Sequence, residues 1–179
     1  MTRVERRTSE TVVSVEMKVG SGRATVSTSV PFLDHMMIAL ARYSGIDLDI
    51  SASGDLKHHT IEDVAISTGE AFARMLPSAC ARYGSSTVPM DEALVEVTID
   101  AGGRPYYEGP LPSSLYDHWM RSFADNAKMT IHIRVLRGRD RHHIVEAAFK
   151  ALGFALRQSL VVTDAVFSTK GSVNLDVKQ

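Results

Sequence analysis

Apolar and polar residues alternate along several short stretches of the chain, and a period of two predicts half-buried β-strands. Residues 13–19 show this pattern, a glycine-rich turn follows, and residues 24–28 are predicted to return beside the first strand as a hairpin. Residues 46–50 form the next predicted strand. Apolar residues three and four positions apart predict a helix on either side of that strand, the first opening at Asp34-His35 and the second after His58-His59.

The second part of the chain repeats this order of elements. Strands are predicted at residues 95–101 and 131–135, and the helix between them opens at Asp117-His118. Residues 85–89 and 105–112 are rich in Pro, Gly or Ser and are predicted as joins. A hairpin-helix-strand-helix unit used twice, with helices on one face of a mainly antiparallel sheet, predicts the α+β class and a two-layer α/β sandwich built from an internal duplication.

The two halves also match residue by residue. The segment from Gly54 to Glu62 aligns with the segment from Gly138 to Glu146 at a constant shift of 84 positions. Self-similarity of this kind indicates a duplicated structural unit. We predict a first structural repeat over residues 1–86 and a second over residues 87–179. Because each is small for an independent domain, we expect one functional domain overall.

Composition and charge narrow the function classes. The 20 Lys and Arg residues against 21 Asp and Glu give a net charge of −1, whereas a protein that grips phosphate backbones normally carries a basic excess. The single cysteine, Cys80, excludes an internal disulfide, is compatible with a reducing compartment, and is predicted to be a buried small hydrophobe. The N-terminal residues do not resemble a signal peptide, and no apolar stretch could span a bilayer, so we predict a cytoplasmic protein.

Six of the seven histidines fall at equivalent positions in the two halves: His35 with His118, His58 with His142, and His59 with His143. Each His-His pair is followed one helical turn later by a glutamate, Glu62 or Glu146. Adjacent histidines on a helix diverge by about 100°, so one pair can serve two different metal ions, with the glutamate completing one of them.

These residues supply eight ligands, enough for four per ion in a two-metal site. Six-coordinate ions would keep two open positions, as a catalytic metal needs. Imidazole and carboxylate without thiolate suit Mn, Fe, Co or Zn. A His-His-x-x-Glu sequence can also be solvated surface, and Thr60 with Asp63 has the form of a helix capping box. The second copy keeps the ligands without a capping Thr or Asp, which favours the metal site.

Other noticeable residues have simpler interpretations. His132, between two isoleucines, is predicted on the polar side of a strand, and Trp119 and the Met36-Met37 pair are predicted in the core. Four arginines of the second half are predicted to form a solvated face: Arg134, Arg137, Arg139 and Arg141.

Two long segments and several short ones form a recognisable set. The most specific are His58-His59-Thr60-Ile61-Glu62-Asp63 and His142-His143-Ile144-Val145-Glu146-Ala147-Ala148-Phe149-Lys150-Ala151. Shorter matches are Arg7-Thr8-Ser9-Glu10-Thr11, Phe32-Leu33-Asp34-His35-Met36, Arg104-Pro105-Tyr106 and Ser168-Thr169-Lys170-Gly171. Together they resemble the imidazoleglycerol-phosphate dehydratase family over nearly the whole chain.

The resemblance implies a hydro-lyase of histidine biosynthesis that eliminates water from imidazoleglycerol phosphate to give imidazoleacetol phosphate. It implies two divalent metal ions per active site, expected to be manganese, acting as Lewis acids and as a template for the imidazole. The implied fold is the same duplicated sandwich, which resembles the second domain of ribosomal protein S-five. Sites completed by neighbouring subunits are also implied, in trimers that assemble further, to twenty-four subunits in that family. No nucleic-acid or membrane partner is implied.

The resemblance also assigns site residues. The implied metal ligands are His35, His58, His59, Glu62, His118, His142, His143 and Glu146. Glu10 is implied to contact the hydroxyl-bearing chain of the substrate and, with these ligands other than His118, to be catalytic. The implied phosphate-binding residues are Arg82, Arg104, Lys150, Ser168 and Lys170, which suit a dianion because guanidinium forks and ammonium charges converge on it. The segments before His58 and between Arg104 and His118 are shorter than is usual in the family.

Two alternatives stay open from the residues. A dinuclear metal-dependent phosphoester hydrolase would use the same ligands around a bound water instead of an imidazole. A non-enzymatic RNA-binding sandwich module is the second alternative, and the net charge of −1 and the eight paired ligand residues count against it.

Overall fold

The computed structural model describes residues 1–165, which form eight strands and four helices. The first half contains β1 (Thr2–Arg7), β2 (Thr11–Val19), β3 (Ala24–Ser27), α1 (Pro31–Ser44), β4 (Ile46–Gly54) and α2 (Lys57–Met75). The second half contains β5 (Tyr83–Met90), β6 (Ala93–Asp100), β7 (Tyr106–Glu108), α3 (Ser114–Ala127), β8 (Thr130–Arg137) and α4 (Arg141–Ser159).

Each half is a four-stranded sheet with two helices packed on it, so the predicted α+β sandwich and its duplication are confirmed. The strand orders are β1-β2-β4-β3 and β5-β6-β8-β7. α2 packs against α3 and α1 packs against α4, so the helices of the two halves meet between the two sheets. One hydrophobic core runs through both halves and contains Trp119, Met36 and Met37, and the free Cys80 is buried, all as predicted.

The strand pairing differs from the predicted hairpins. β3 does not return beside β2 but pairs in parallel with β4, with Val26 opposite Ile50. Parallel pairing needs a crossover, and α1 supplies it because it lies between β3 and β4 in the chain. The hairpin is formed instead by β1 and β2, with Val4 opposite Val15. The second half has the same arrangement, with β5 beside β6 and β7 parallel to β8.

Three strands lie where no strand was predicted. β1 is an edge strand of mostly charged residues, in which Val4 is the one apolar side chain packed against the core. β5 contains the whole predicted join at residues 85–89, and β7 falls within the one at residues 105–112, so the first join is wrong and the second partly wrong. Hydrogen-bond pairing with β6 and β8 makes these segments strands, and the small polar residues of β5 give no alternating pattern that could reveal it.

The helices α1 and α3 begin one turn earlier than predicted, at Pro31 and Ser114. Their aspartates do not open the helices but fasten the first turn to the preceding segment. Asp34 Oδ1 accepts the backbone N–H of Thr28 at 2.9 Å, and Asp117 Oδ1 accepts the backbone N–H of Leu111 at 2.8 Å. The histidine that follows each aspartate is therefore held in the first turns of a well-anchored helix.

Candidate metal centre

Two clusters of histidine and glutamate lie where helices of the two halves pack together. The first triad consists of His58 and Glu62 on α2 and His118 on α3. Because His58 and Glu62 are four residues apart, their side chains share one face of α2. His58 Nε2 lies 3.4 Å from Glu62 Oε2, and His118 Nε2 lies 3.3 Å from Glu62 Oε1. The His58 and His118 rings are stacked, with their centroids 5.3 Å apart.

The second triad repeats the first with the halves exchanged. His142 and Glu146 are four residues apart on α4, and His35 comes from α1. His142 Nε2 lies 3.3 Å and His35 Nε2 lies 3.4 Å from the same oxygen, Glu146 Oε2. Each triad therefore combines the His-Glu face of one half with the single histidine of the other half.

The first triad has the composition and spacing of a divalent metal site. One ligand atom from each of His58, Glu62 and His118 lies within 4.8 Å of the other two. Among the described residues, the buried His118 Nε2 makes no hydrogen bond. Two imidazole nitrogens and a carboxylate oxygen are ligands that Mn, Fe, Co and Zn accept, and they leave positions for further ligands.

The second triad holds an additional cation. Lys150 Nζ lies 2.8 Å from Glu146 Oε1, one helical turn along α4. Burial would raise the pKa of the Glu146 carboxyl, but the hydrogen bonds and charges of Lys150 and His35 together outweigh burial and hold that pKa below its ordinary value. The carboxylate is therefore ionised and ready to serve as a ligand.

The second histidine of each pair faces away from the triads. The rings of His58 and His59 lie at 76° to each other, and those of His142 and His143 at 87°. Because the second histidine of each pair has carboxylate partners of its own, one protomer brings three predicted ligands together in each triad and places the fourth, His59 or His143, outside it.

Carboxylates contact Nδ1 of both outlying histidines, and Asp91 Oδ2 also lies 3.5 Å from His143 Nε2. His59 Nδ1 lies 2.8 Å from Asp55 Oδ1 and 3.6 Å from Glu10 Oε2, while His143 Nδ1 lies 2.7 Å from Glu92 Oε2. The hydrogen bonds to Asp55 and Glu92 raise the pKa of His59 and of His143. A metal-bound histidine typically donates its other N–H to such a carboxylate, which leaves Nε2 for the metal.

Asp55 and Glu92 are site residues that the sequence reasoning missed. Glu92 aligns with Glu10 in the two halves and so had a signal in the repeat, whereas Asp55 aligns with Arg139 and its only signal was its position four residues before His59. The backbone N–H of Asp140 and the His143 ring lower the pKa of Glu92 to about 2, so this carboxylate is charged.

The capping interpretation of the first His-His pair is wrong. Thr60 lies inside α2, where its hydroxyl donates to the Leu56 carbonyl at 3.2 Å. Asp63 accepts a hydrogen bond from the Thr11 hydroxyl and pairs with Arg6 Nε at 2.9 Å, so it joins α2 to the sheet. Neither side chain caps the helix.

The second copy has a cap, contrary to expectation. Asp140 precedes α4, and its Oδ1 accepts the backbone N–H of His142 at 2.7 Å. The two helices thus start differently although both carry the same ligands. Helix capping therefore does not explain why the ligands recur.

Arg82, which the resemblance assigns to phosphate, lies apart from the second triad. Its guanidinium forms a two-pronged pair with Asp100, at 2.5 Å and 2.9 Å. Its backbone N–H bonds to the carbonyl of Ser159, the last residue of α4. The 19 residues of α4 span about 28 Å, so Arg82 lies at the opposite end of this helix from His142.

The other assigned phosphate residues are also dispersed. Arg104 is exposed in the segment before β7, and Lys150 is bound to Glu146. Ser168 and Lys170 lie outside the described residues. One protomer therefore gathers six of the eight predicted metal ligands in the two triads but does not gather the predicted phosphate set around them.

His132 and the four arginines that were predicted to face solvent are exposed, as expected. His132 is exposed on β8, with its ring 5.5 Å from that of Tyr106. The four arginines from Arg134 to Arg141 are exposed, and Arg134 pairs with Glu96 at 3.5 Å. These residues form a solvated face.

Comparison with known proteins gives the chain a family. The family model described as Imidazoleglycerol-phosphate dehydratase matches residues 28–156. A protein of that name from Kineococcus radiotolerans is 43% identical over 194 aligned residues, which cover 96% of this chain and 98% of the relative. One from Salinispora tropica is 44% identical with the same coverage. The chain belongs to the imidazoleglycerol-phosphate dehydratase family.

A solved structure of an imidazoleglycerol-phosphate dehydratase has the same fold. The crystal structure of IGPD from Pyrococcus furiosus in complex with (S)-C348 matches with a TM-score of 0.86 and 40% identity, covering 95% of this chain and all of the other. The recognition of an imidazoleglycerol-phosphate dehydratase from sequence motifs is confirmed, and the chain is a lyase of histidine biosynthesis.

The two alternatives find no support in these similarities. The relatives are dehydratases, not phosphoester hydrolases or RNA-binding modules. The metal dependence of the imidazoleglycerol-phosphate dehydratase family agrees with the ligand set of the first triad. Within residues 1–165, no helix combines the length and the apolar character needed to cross a membrane.

Proposed function

We propose that this protein is a cytoplasmic enzyme that converts imidazoleglycerol phosphate to imidazoleacetol phosphate and water, with two divalent metal ions, expected to be manganese, in each active site. The observation that carries the proposal is the pair of triads. Both are built from the same ligand types, and each joins the two halves of the chain.

The first ion is proposed to bind at the first triad, to His58, Glu62 and His118. The second ion is proposed to bind at the second triad, to His35, His142 and Glu146. His59 and His143 complete the sets from outside these triads. When bound, the metals supply Lewis acidity to the imidazole nitrogens of the substrate and hold the ring in place. The protein's part is to present neutral imidazole nitrogens and ionised carboxylates, and its second-layer carboxylates Asp55 and Glu92 fix which nitrogen is presented.

Glu10 is proposed to act on the hydroxyl-bearing chain of the substrate. Its carboxylate lies 3.6 Å from His59 Nδ1 and is about half exposed, so it can reach a ligand beside that ring. The substrate carbon that loses its hydrogen is not next to a carbonyl, so its proton is hard to remove. The reaction therefore needs a positioned base as well as a metal-activated imidazole ring, and Glu10 is the proposed base.

Arg82, Arg104, Lys150, Ser168 and Lys170 are proposed to bind the phosphate. Because Arg82 lies at the far end of α4 from His142, a phosphate bound by Arg82 cannot belong to a substrate ring held at the second triad of the same protomer. We therefore propose that trimers and a larger assembly form the complete site, with triads, outlying histidines and phosphate residues drawn from neighbouring protomers.

The direct test is to incubate the purified protein, loaded with Mn²⁺, with imidazoleglycerol phosphate and to follow the keto product. We expect ketone to form without release of inorganic phosphate. Release of phosphate with no ketone would instead establish the hydrolase, and the dehydratase proposal would be rejected.

A further inference from the structure

The two triads differ by one buried cation. Lys150, four residues after Glu146 on α4, places its ammonium 2.8 Å from Glu146 Oε1. The equivalent position in the first half, four residues after Glu62 on α2, is occupied by Ile66. Only the second triad therefore has an ammonium one turn along its own helix.

Burial explains why a counter-ion belongs in the second triad. The side chain of Glu146 is 7% exposed, whereas that of Glu62 is 34% exposed. A buried carboxylate without a partner is costly, and a carboxylate in contact with water is not. Lys150 is itself largely enclosed, with its Nζ 3.3 Å from Met90 Sδ and 5.7 Å from the Tyr43 ring, so its ammonium is held beside Glu146 in this structure.

The carboxylate oxygens are used differently in the two triads. In the first, each oxygen of Glu62 faces one imidazole. In the second, Oε2 of Glu146 faces both imidazoles and Oε1 holds Lys150. A divalent cation entering the second triad therefore meets a ligand whose charge is already neutralised, and it meets repulsion from an ammonium on the far side of the same carboxylate.

We infer that the two triads bind divalent metal with unequal affinity, and that Lys150 causes the difference. The first triad loads first, and the second loads at higher metal concentration because its carboxylate already has an internal counter-ion. This inference rests on the proposed function, since it treats both triads as metal sites.

The test uses the full chain after removal of metal by a chelator, titrated with Mn²⁺ while the signal of free Mn²⁺ is followed by electron paramagnetic resonance. We expect two classes of site whose dissociation constants differ at least about tenfold. Glu62→Gln should remove the tight class, and Glu146→Gln should remove the weak class.

Exchanging the residues at the equivalent positions 66 and 150 tests the effect of the lysine apart from the other differences between the two halves. Lys150→Ile should tighten the weak class about tenfold or more, and Ile66→Lys should weaken the tight class by a similar factor. Lys150→Arg keeps the positive charge and should keep the difference in Mn²⁺ affinity between the two classes of site. If Lys150→Ile does not fold, as judged by circular dichroism, Ile66→Lys decides the question.

The outcomes distinguish the inference from the function on which it rests. Two equal classes in the parent protein, or affinities unmoved by Ile66→Lys and Lys150→Ile, overturn the inference and leave the two-metal dehydratase standing. No Mn²⁺ binding in the parent protein overturns both.

Discussion

A single carboxylate stands between two imidazole rings in each triad. Glu62 offers one oxygen to His58 and the other to His118, at 3.4 Å and 3.3 Å. The two imidazoles and the carboxylate of a triad should interact far more strongly with a shared divalent cation than with one another at these distances. Loss of one ligand should therefore weaken metal binding more than it weakens the fold.

His58→Ala and His142→Ala each remove one ligand, from the first and the second triad respectively. We expect each variant to bind Mn²⁺ at the affected triad at least about tenfold more weakly and to retain about half of the bound metal, with a corresponding loss of activity. Metal analysis of protein purified without chelator measures this. His132→Ala, at an exposed histidine outside both triads, is the control and should keep its metal. Unchanged metal content in both ligand variants would contradict the assignment.

Asp47 on β4 fastens the turn that follows β2. Its Oδ1 accepts the backbone N–H of Ser21 at 2.9 Å and that of Arg23 at 3.0 Å. The backbone hydrogen bonds from Arg23 and Ser21 hold the pKa of Asp47 far below its ordinary value of 3.8. This carboxylate therefore stabilises the fold only while it is ionised.

Asp47→Asn tests this pH dependence. A carboxyl with a lowered pKa in the folded state contributes stability above its unfolded pKa, and the contribution is lost as pH falls through the folded pKa. We expect the variant to have a lower free energy of unfolding than the parent at neutral pH, and the difference to shrink as the pH is taken below 3.8. Urea unfolding over that range measures it. Asp49→Asn, on the same strand but without these bonds among the described residues, should change little, and a pH-independent difference for Asp47→Asn would contradict the account.

The repeat made the triad residues predictable, because both copies keep His, His and Glu at one spacing. The partners of the outlying histidines were harder to predict. Glu92 lies 51 residues from His143, in the turn between β5 and β6, and only the folded chain brings the two together. Lys150 matched a phosphate-binding pattern, and its contact with Glu146 became visible only when α4 and its burial were known.

A glycine lies at each helix crossing between the halves. A Cβ at Gly69 on α2 would lie 2.8 Å from the Phe123 carbonyl oxygen on α3, and a Cβ at Gly153 on α4 would lie 3.1 Å from the Ser44 backbone nitrogen at the end of α1. These close approaches bring α3 to α2 and α1 to α4, and so bring the single histidines to the glutamates.

Gly69→Ala should therefore destabilise the protein. In an open helix, alanine would be more favourable than glycine by about 1 kcal/mol, but here the methyl group overlaps backbone atoms of α3 and should cost about 1–3 kcal/mol. Denaturant unfolding measures this, and Mn²⁺ binding at the first triad should weaken too. Arg74→Ala, at an exposed position of the same helix, should stay within about 0.5 kcal/mol of the parent. If Gly69→Ala is as stable as the parent or more stable, the crossing of α2 and α3 can accommodate a methyl group and the prediction is wrong.

At the scale of elements, the sequence predicted all four helices and the strands with alternating apolar residues. It could not predict β1 and β5, because their many polar residues give no clear apolar alternation, or β7, because it has only three residues and pairs with β8 on the far side of α3. It also paired β3 wrongly, since the alternation of a strand does not say which neighbour it hydrogen-bonds or in which direction.

For the whole molecule, the distance between the second triad and Arg82 is the decisive feature. α4 carries His142 and Glu146 at its start, and its last residue contacts Arg82 about 28 Å away. A small substrate cannot span that distance within one protomer. Complete sites are therefore expected at contacts between protomers.

Co-assembly of two inactive variants tests the shared site. His142→Ala damages the second triad, and Arg82→Gln damages the proposed phosphate contact at the other end of α4. If each active site draws these residues from two protomers, a mixed assembly should recover activity in about one quarter of its sites. Activity assays of the unmixed and reassembled proteins measure this, and no recovery in a proven mixed assembly would mean that one protomer supplies both.

The most direct test of the account is the position of manganese in a crystal. Crystals grown with Mn²⁺ and measured near the manganese absorption edge should show one anomalous peak among His58 Nε2, Glu62 and His118 Nε2, and a second beside Glu146 Oε2 between His35 and His142. An anomalous map with no peak at either triad, and with these rings turned into solvent, would contradict the central claim that the duplicated histidine and glutamate clusters exist to hold divalent metal.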